Sequence, residues 1–208
     1  MANITNLNLK PPLYNRELTL SNLKQFNLFA GLTVKDETRV LKAIQEVYKK
    51  AGVTTVFISA YSPEPKQIIH EFERLPSFKK AMILELLKEL DLYVKHLSSA
   101  GSGTIRALEI SLALVNAQNE VLLIERLGNY LHYTVIQKLI PVIIYVAKSR
   151  DKQIFATTYN LHCTKSLEVI KEDDFTVQRI ERDQKTTVVL SREELMLANK
   201  FGIEASFK

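Results

Sequence analysis

The sequence predicts an α/β protein with a mostly parallel sheet flanked by helices. Short apolar runs typical of strands alternate with stretches whose apolar residues recur at helical spacing, along nearly the whole 208-residue chain. The run EVLLIE is almost continuously apolar, as are strands buried on both faces of a parallel sheet. No internal repeat and no low-complexity linker interrupts the alternation. We therefore expect a single domain over residues 1–208, with antiparallel strands at its margin.

In the first half of the chain the predicted strands are ITNLNLK, RELTL, KQFNLFA and TTVFISA. A helix is expected from Glu37 onward, through ETRVLKAIQEVYKKAG, because its apolar residues recur with the period of a helix. Residues 65–97 form a predicted helical insert that Pro76 divides into two helices. The turn SSAGSG then opens a helix over TIRALEISLALVNA.

The second half of the chain repeats the alternation. After EVLLIE, a helix is expected from about Tyr133 to Ser149, kinked or divided at Pro141. The buried strand QIFATTY and a helix over LHCTKSLEVI follow. Residues 175–208 are expected to form a C-terminal hairpin and a final helix, with Ser191 as the N-cap of that helix.

Composition and charge exclude several classes of protein. No apolar run approaches the ~20 residues that a membrane helix needs, and the first residues lack a secretory signal, so a cytoplasmic protein is expected. The single cysteine, Cys163, excludes an internal disulfide. A formal charge of +5 permits attraction to nucleic acid, but the 28 Lys and Arg residues are interleaved with 23 acidic residues and form no basic block.

The segment AGLTVKDET, residues 30–38, lies between a predicted strand and a predicted helix, where a nucleotide-binding protein keeps its phosphate loop. The expected pattern is G-x-x-x-x-G-K-[ST], with a lysine on the terminal phosphates and a hydroxyl on magnesium. Gly31 and Thr38 match the first and last positions, whereas Asp36 replaces the second glycine and Glu37 replaces the lysine. Alone, this partial match is weak.

Three further stretches follow in the order and spacing of ABC-type ATPases. SSAGSGTIRAL resembles their signature segment, VLLIERLGNYLHY resembles their Walker B strand and its sequel, and QIFATTYN resembles the strand that ends in their switch motif. The chain is identified as a compact, degenerate member of the predicted AAA/ABC-type P-loop ATPases related to the overcoming-lysogenization-defect proteins. This resemblance implies a P-loop NTPase-like, ABC-type ATPase-like fold over almost the whole chain.

The chain departs from that family at the positions nearest the hydrolysed phosphate. The resemblance places Glu125 at the Walker B aspartate that holds magnesium, and Arg126 at the glutamate that polarises the attacking water. It places Tyr159 at the switch histidine that contacts the γ-phosphate. Walker A and Walker B are thus both degenerate, and no catalytic residue is expected.

Electrostatics gives the consequence of these departures. A charge pair at ~5 Å in an effective dielectric of ~20 is worth about 3 kcal/mol, so reversing the lysine charge with Glu37 is worth about 6 kcal/mol. That change corresponds to roughly four powers of ten in affinity. Arg126 cannot act as a general base, because a guanidinium stays charged in proteins. We therefore expect no metal site and no cofactor, with ATP and magnesium bound only if the protein is a weak ATPase.

Glu37 and Arg126 exchange the signs of two charges that the family places across one small site, since an acid replaces the lysine and a base replaces the glutamate. We hypothesise that they pair with each other and occupy the vacated phosphate position, with Lys35 or Arg39 as alternative partners of Glu37. The alternative is that both are solvated surface charges.

Residues of the signature turn are the part of the motif set that remains intact. In ABC-type dimers the signature of one subunit completes the nucleotide site of the other, so Gly101, Ser102 and Gly103 are candidates for phosphate contact in trans. The alternative is a glycine-rich turn needed only for its backbone geometry.

These inferences favour a non-hydrolysing pseudo-ATPase that acts as a scaffold or regulatory subunit. Its expected partner is a second copy of itself or an active ABC-type ATPase, to which it lends the signature turn; no membrane partner is expected. A weak ATP-binding ATPase that uses Glu125 for magnesium is the first alternative. A DNA-associated protein of the same fold is the second, and a salt-sensitive shift of labelled DNA would identify it.

Overall fold

The computed structural model of the chain describes residues 4–10, 17–61, 64–93, 96–116, 121–170, 174–180 and 185–201. The strands are β1 Leu7–Leu9, β2 Leu18–Leu20, β3 Phe26–Ala30, β4 Thr55–Ile58, β5 Val121–Ile124, β6 Ile154–Thr157, β7 Phe175–Arg179 and β8 Val188–Leu190. The helices are α1 Val34–Lys50, α2 Pro65–Glu73, α3 Ser77–Glu89, α4 Ser102–Asn116, α5 Tyr133–Ser149, α6 Leu161–Lys165 and α7 Arg192–Lys200.

The main sheet has six strands in the order β4-β5-β6-β3-β7-β8. All neighbouring strands in it run parallel except β7 and β8, which form the predicted antiparallel hairpin. A separate antiparallel pair, β1 with β2, accounts for the two short strands expected at the start of the chain. The predicted fold class, a mostly parallel sheet with antiparallel margins, is confirmed.

Helices cover both faces of the main sheet, and each face has its own apolar core. On one face α1 and the β1–β2 pair pack against side chains such as Phe29 and Phe155. On the other face α2 to α7 pack against the alternate side chains of the same strands, such as Leu28 and Ile124. The strands are therefore buried on both faces, which explains why EVLLIE is almost continuously apolar.

The first helix begins three residues earlier than the sequence predicts, at Val34 instead of Glu37. Thr33 precedes it in an extended conformation, and the amides of Asp36 and Glu37 both donate to the Thr33 carbonyl, at 2.9 and 3.0 Å. The polar residues that were expected in a loop are therefore the first turn of a helix.

Two other helices are shorter than the sequence predicts. α3 ends at Glu89 instead of continuing toward residue 97, because Asp91 adopts a left-handed conformation with φ of 59°. The Leu92 amide then donates to the Leu87 carbonyl at 2.9 Å, which closes the helix with a Schellman-type cap. α6 likewise stops at Lys165.

The other predicted features behave as follows. α5 runs without division through Pro141. Ser191 caps α7 as predicted, in a reciprocal capping box with Glu194. Cys163 is fully buried against the core. The last seven residues of the predicted C-terminal segment, 202–208, lie outside the described part of the chain.

Candidate functional site

Three neighbouring parallel strands end at one edge of the sheet, and their loops form the candidate site. β3, β6 and β5 lie side by side, so the residues that follow them are brought together. The degenerate phosphate segment follows β3, Glu125 and Arg126 follow β5, and Tyr159 follows β6. The sheet order therefore assembles three of the sequence motifs at one place.

Glu37 and Arg126 form an ion pair, as the charge swap predicts. The Nε atom of Arg126 donates to Oε2 of Glu37 at 2.7 Å. Their side chains are 2% and 11% exposed, so the pair is nearly excluded from solvent. Of the alternative partners, Arg39 contacts Asp36 instead, at 3.5 Å. The interpretation of Glu37 and Arg126 as solvated charges is wrong.

Burial of the pair carries a cost in desolvation. Burial raises the pKa of the Glu37 carboxyl, and the hydrogen bond and charge of Arg126 only partly oppose that rise. The same hydrogen bond raises the pKa of the Arg126 guanidinium above its ordinary value. The backbone of Arg126 is in the left-handed region, which is uncommon for a non-glycine residue, with φ of 49°.

Thr38 and Glu125 are the residues that the family resemblance assigns to magnesium, and here they are bonded to each other. The Thr38 hydroxyl donates to Oε1 of Glu125. The second carboxylate oxygen, Oε2, accepts from the Ala60 amide at 2.9 Å and from the Ser59 hydroxyl at 3.4 Å. Glutamate is one methylene longer than aspartate, which lets it reach the hydroxyl directly. Both carboxylate oxygens of Glu125 therefore accept hydrogen bonds from protein donors.

The phosphate segment itself is closed by the early start of α1. A phosphate loop binds through backbone amides that point into an open concavity. Here the amides of Asp36 and Glu37 are used within the helix, and the Thr33 hydroxyl donates to the Asp36 carboxylate. Gly31 retains a structural need for glycine, since its φ is 79°. Two backbone amides of this segment are therefore already bonded within the helix.

Tyr159, at the switch position, lies beside the ion pair. Its ring centroid is 5.9 Å from the Cζ atom of Arg126, within the range of a cation–π contact. Its hydroxyl is 3.5 Å from Oδ1 of Asn129, and its side chain is exposed. Tyr159 thus covers the outer side of Arg126 instead of offering an imidazole to a phosphate.

The two glycines of the signature turn have different structural roles. α4 begins at Ser102, so Gly103 is already helical. A Cβ atom added to Gly103 would lie 2.8 Å from the backbone oxygen of Tyr130, whereas one added to Gly101 would meet nothing within 4 Å. Packing therefore explains Gly103, but nothing within the described part of the chain explains Gly101.

Substituting alanine at these two glycines is expected to give opposite results. Gly103→Ala should destabilise the fold by about 1–3 kcal/mol, because backbone must move to relieve the contact with Tyr130. Gly101→Ala should leave the free energy of unfolding unchanged or slightly higher, because its Cβ enters open space. Urea unfolding of both variants and the wild type measures the difference, and equal destabilisation would contradict the packing explanation.

Arg106 follows the glycines of the signature segment, and no role was assigned to it from the sequence, yet it bonds to the chain at the ends of β4 and β5. Its guanidinium is fully buried and donates to the carbonyls of Ser59 and Glu125 at 2.6 and 2.7 Å. It also pairs with Glu109 at 2.9 Å. The signal was present, because an arginine inside the apolar run TIRALEISLALV is unexpected on a buried helix. Arg106 thereby ties the helix of the signature segment to the ends of β4 and β5.

Thr157 is a second residue that the sequence did not single out. Its hydroxyl accepts from the Arg126 amide at 3.0 Å, and its carbonyl accepts from the Leu127 amide at 2.9 Å. These bonds hold the chain after Glu125 in the tight turn that gives Arg126 its positive φ. Thr157 therefore positions Arg126 through its backbone amide.

Within the described residues, no group of three or more His, Cys, Asp or Glu side chains is placed to hold a metal ion. None of the described helices has the length and apolar character that crossing a membrane requires.

Comparison with known proteins identifies the fold. No protein-family profile and no curated protein matches the sequence. Among solved structures, an ATP-binding cassette of an ABC transporter matches 98% of this chain and 98% of its own, with TM-score 0.64 and 11% identity. A dimeric bacterial ABC transporter cassette matches 88% of this chain and 94% of its own, with TM-score 0.50 and 13% identity. The RNase-L Inhibitor matches 96% of this chain over 42% of its own length, with TM-score 0.55 and 15% identity. The chain therefore has the fold of an ABC-type ATPase cassette, a P-loop NTPase fold.

Proposed function

We propose that this chain is a pseudo-ATPase, an ABC-type cassette that does not hydrolyse ATP and acts as a scaffold or regulatory subunit. The observation that carries the proposal is the buried ion pair between Glu37 and Arg126 at 2.7 Å. It joins the position of the phosphate-binding lysine to the position of the catalytic glutamate. The charges that an active cassette directs at a phosphate and a water are directed at each other in this chain.

Three further contacts support the proposal. The Thr38 hydroxyl donates to the Glu125 carboxylate, so the two groups that the resemblance assigns to magnesium bond to each other. The amides of Asp36 and Glu37 are used within α1. Arg126 cannot accept a proton from an attacking water, because its guanidinium remains charged. Each of the chemical tasks of hydrolysis thus lacks the group that performs it.

The proposal includes a partner. Dimeric ABC cassettes are among the similar structures. Gly101 lies at the start of the α4 helix with open space around its Cα, so a partner's surface can approach the turn closely there. We infer that the chain pairs with itself or with an active ABC-type ATPase and presents the Gly101–Gly103 turn to it. Kinship with the overcoming-lysogenization-defect proteins and a cytoplasmic location belong to the same proposal.

The absence of turnover is the direct test. Purified protein is expected to release no phosphate from radiolabelled ATP above the background of a mock purification, with magnesium present. Glu125→Gln should leave that background unchanged, because no hydrolysis depends on Glu125 in a pseudo-ATPase. Circular dichroism confirms that the variant is folded. Turnover that falls in Glu125→Gln would replace the proposal with that of a weak ABC-type ATPase.

A further inference from the structure

The outer face of α1 is strongly basic, although bases and acids are mixed in its sequence. Five positively charged side chains of this helix are exposed, and we call them the basic face: Lys35, Arg39, Lys42, Lys49 and Lys50. Two of the three acids of α1, Asp36 and Glu37, are buried, and only Glu46 is exposed. The helix therefore presents five positive charges and one negative charge to solvent.

Most charges of the basic face are not neutralised by a neighbouring acid. The guanidinium of Arg39 lies 3.5 Å from the carboxylate of Asp36. In the part of the chain that the structure describes, the four lysines of the face form no ion pair. Four positive charges are therefore available to a partner of opposite charge.

The helix dipole explains only part of this pattern. Lys49 and Lys50 lie in the last turn, where a positive charge is favourable. Lys35 lies in the first turn, where a positive charge is unfavourable, and Lys42 lies in the middle of the helix, where the dipole has little effect. The stability of the helix therefore does not account for Lys35 and Lys42.

Three of the lysines form a row along the helix. Lys35, Lys42 and Lys49 follow one another at intervals close to two helical turns, so they project from nearly the same side. At a rise of about 1.5 Å per residue, the row is about 21 Å long. Duplex DNA carries one negative charge per ~1.7 Å of its axis, so the same length of duplex offers roughly 12 charges. A linear polyanion fits such a row better than a single small anion does.

The same face lacks the groups that other partners need. The only large apolar side chain that α1 exposes is Val34, its first residue, so the face has no apolar stripe for a lipid surface or a partner helix. The one aromatic residue of the helix, Tyr48, is buried and cannot stack on an unpaired base. The surface therefore fits a polyanion that is held by its charge and whose bases are already paired.

We propose that the basic face of α1 binds the phosphate backbone of double-stranded DNA without reading its sequence. Contacts of lysine and arginine with phosphates supply essentially all of the affinity of non-specific binding, because they release condensed counterions. Such contacts position a protein on the duplex and carry no sequence information. This role goes beyond that of a pseudo-ATPase subunit and does not depend on it, since Glu37 lies on the buried side of α1.

Fluorescence anisotropy of a labelled duplex tests the proposal on the full chain without ATP. Binding is expected with Kd of about 1–100 µM at physiological salt, and log Kd should rise linearly with log salt. The combined variant Lys35→Gln, Lys42→Gln, Lys49→Gln should weaken binding at least about tenfold and lower the salt slope by about 2–3, because each lost phosphate contact removes about 0.9 from it. Glu46→Gln should tighten binding about twofold to threefold, because it removes the one exposed acid of the helix.

A matched variant separates the basic face from the net charge of the chain. Lys66→Gln, Lys165→Gln and Lys200→Gln remove the same charge from exposed positions on α2, α6 and α7, and together should change Kd less than about twofold. Circular dichroism confirms that both triple variants are folded. No binding tighter than about 1 mM at about 50 mM salt overturns the proposal. So does an equal loss of affinity in the two triple variants. If poly-glutamate displaces the duplex at equal charge concentration, the face fits an acidic protein instead, and the proposal is again overturned.

Discussion

Replacing Arg126 with methionine is expected to destabilise the fold by about 3–5 kcal/mol at neutral pH, because it leaves the carboxylate of Glu37 buried without a counter-charge. The Glu37 side chain is 2% exposed, so water cannot solvate the charge in place of the arginine. Methionine keeps much of the volume and the same positive-φ backbone cost, which isolates the effect of the charge. Urea unfolding measures the loss. Arg39→Met, which breaks only the half-exposed contact with Asp36, is the control and should cost less than about 1 kcal/mol.

The same variant should depend on pH in a defined direction. Burial already raises the pKa of Glu37 in the folded protein, and Arg126 limits that rise. Without Arg126 the folded-state pKa rises further above the unfolded value. A raised folded pKa contributes stability at low pH that is lost as pH rises through it, so the deficit of Arg126→Met should be smaller at about pH 5 than at about pH 8. A deficit that is constant with pH would show that lost packing, and not the unpaired buried charge of Glu37, causes the destabilisation.

Replacing Arg106 with methionine is expected to have a second large effect, again about 3–5 kcal/mol. The substitution removes the donor from two buried carbonyls, those of Ser59 and Glu125, and from the carboxylate of Glu109. Burial already raises the pKa of Glu109, and the charge of Arg106 opposes that rise. Chemical denaturation followed by circular dichroism measures the effect.

The stability that residue 106 contributes should depend on the geometry of its hydrogen-bond donors and not on its charge alone. Arg106→Lys should recover little of the stability, because one ammonium group cannot reproduce a planar fork that reaches two carbonyls at 2.6 and 2.7 Å. Arg74→Met, at the exposed end of α2, should change the free energy of unfolding by no more than about 0.5 kcal/mol. If Arg106→Lys is as stable as the wild type, the fork of hydrogen bonds is not what Arg106 contributes.

The fold could be predicted from the sequence because its strands and helices differ in how their apolar residues are spaced. Strands such as EVLLIE and KQFNLFA are buried on both faces, and the long helices between them keep an apolar stripe. Helix ends were predicted less well. α3 stops where Asp91 takes a left-handed conformation, which aspartate tolerates but does not require. A sequence pattern does not reveal such a choice.

The candidate site was predicted in part, for a physical reason. The pairing of Glu37 with Arg126 could be predicted from charge. An acid stands at the family's lysine position and a base at its glutamate position, and two buried opposite charges side by side are expected to pair. The early start of α1 was missed, although Thr33 with Asp36 three residues later is a pattern typical of a helix start. The role of Arg106 was missed because two of its three partners are backbone carbonyls, which no sequence pattern marks.

Calorimetric titration with ATP and magnesium tests the central claim most directly, on the wild-type chain and on the variant Asp36→Gly, Glu37→Lys, Arg126→Glu. That variant restores the family's glycine, lysine and catalytic glutamate at their own positions, and its new lysine and glutamate can still pair. We predict no heat of binding for the wild type and measurable binding for the variant, because the fold retains Gly31 and Thr38. Binding of ATP to the wild type in the micromolar range would contradict the claim that the buried ion pair has replaced the nucleotide.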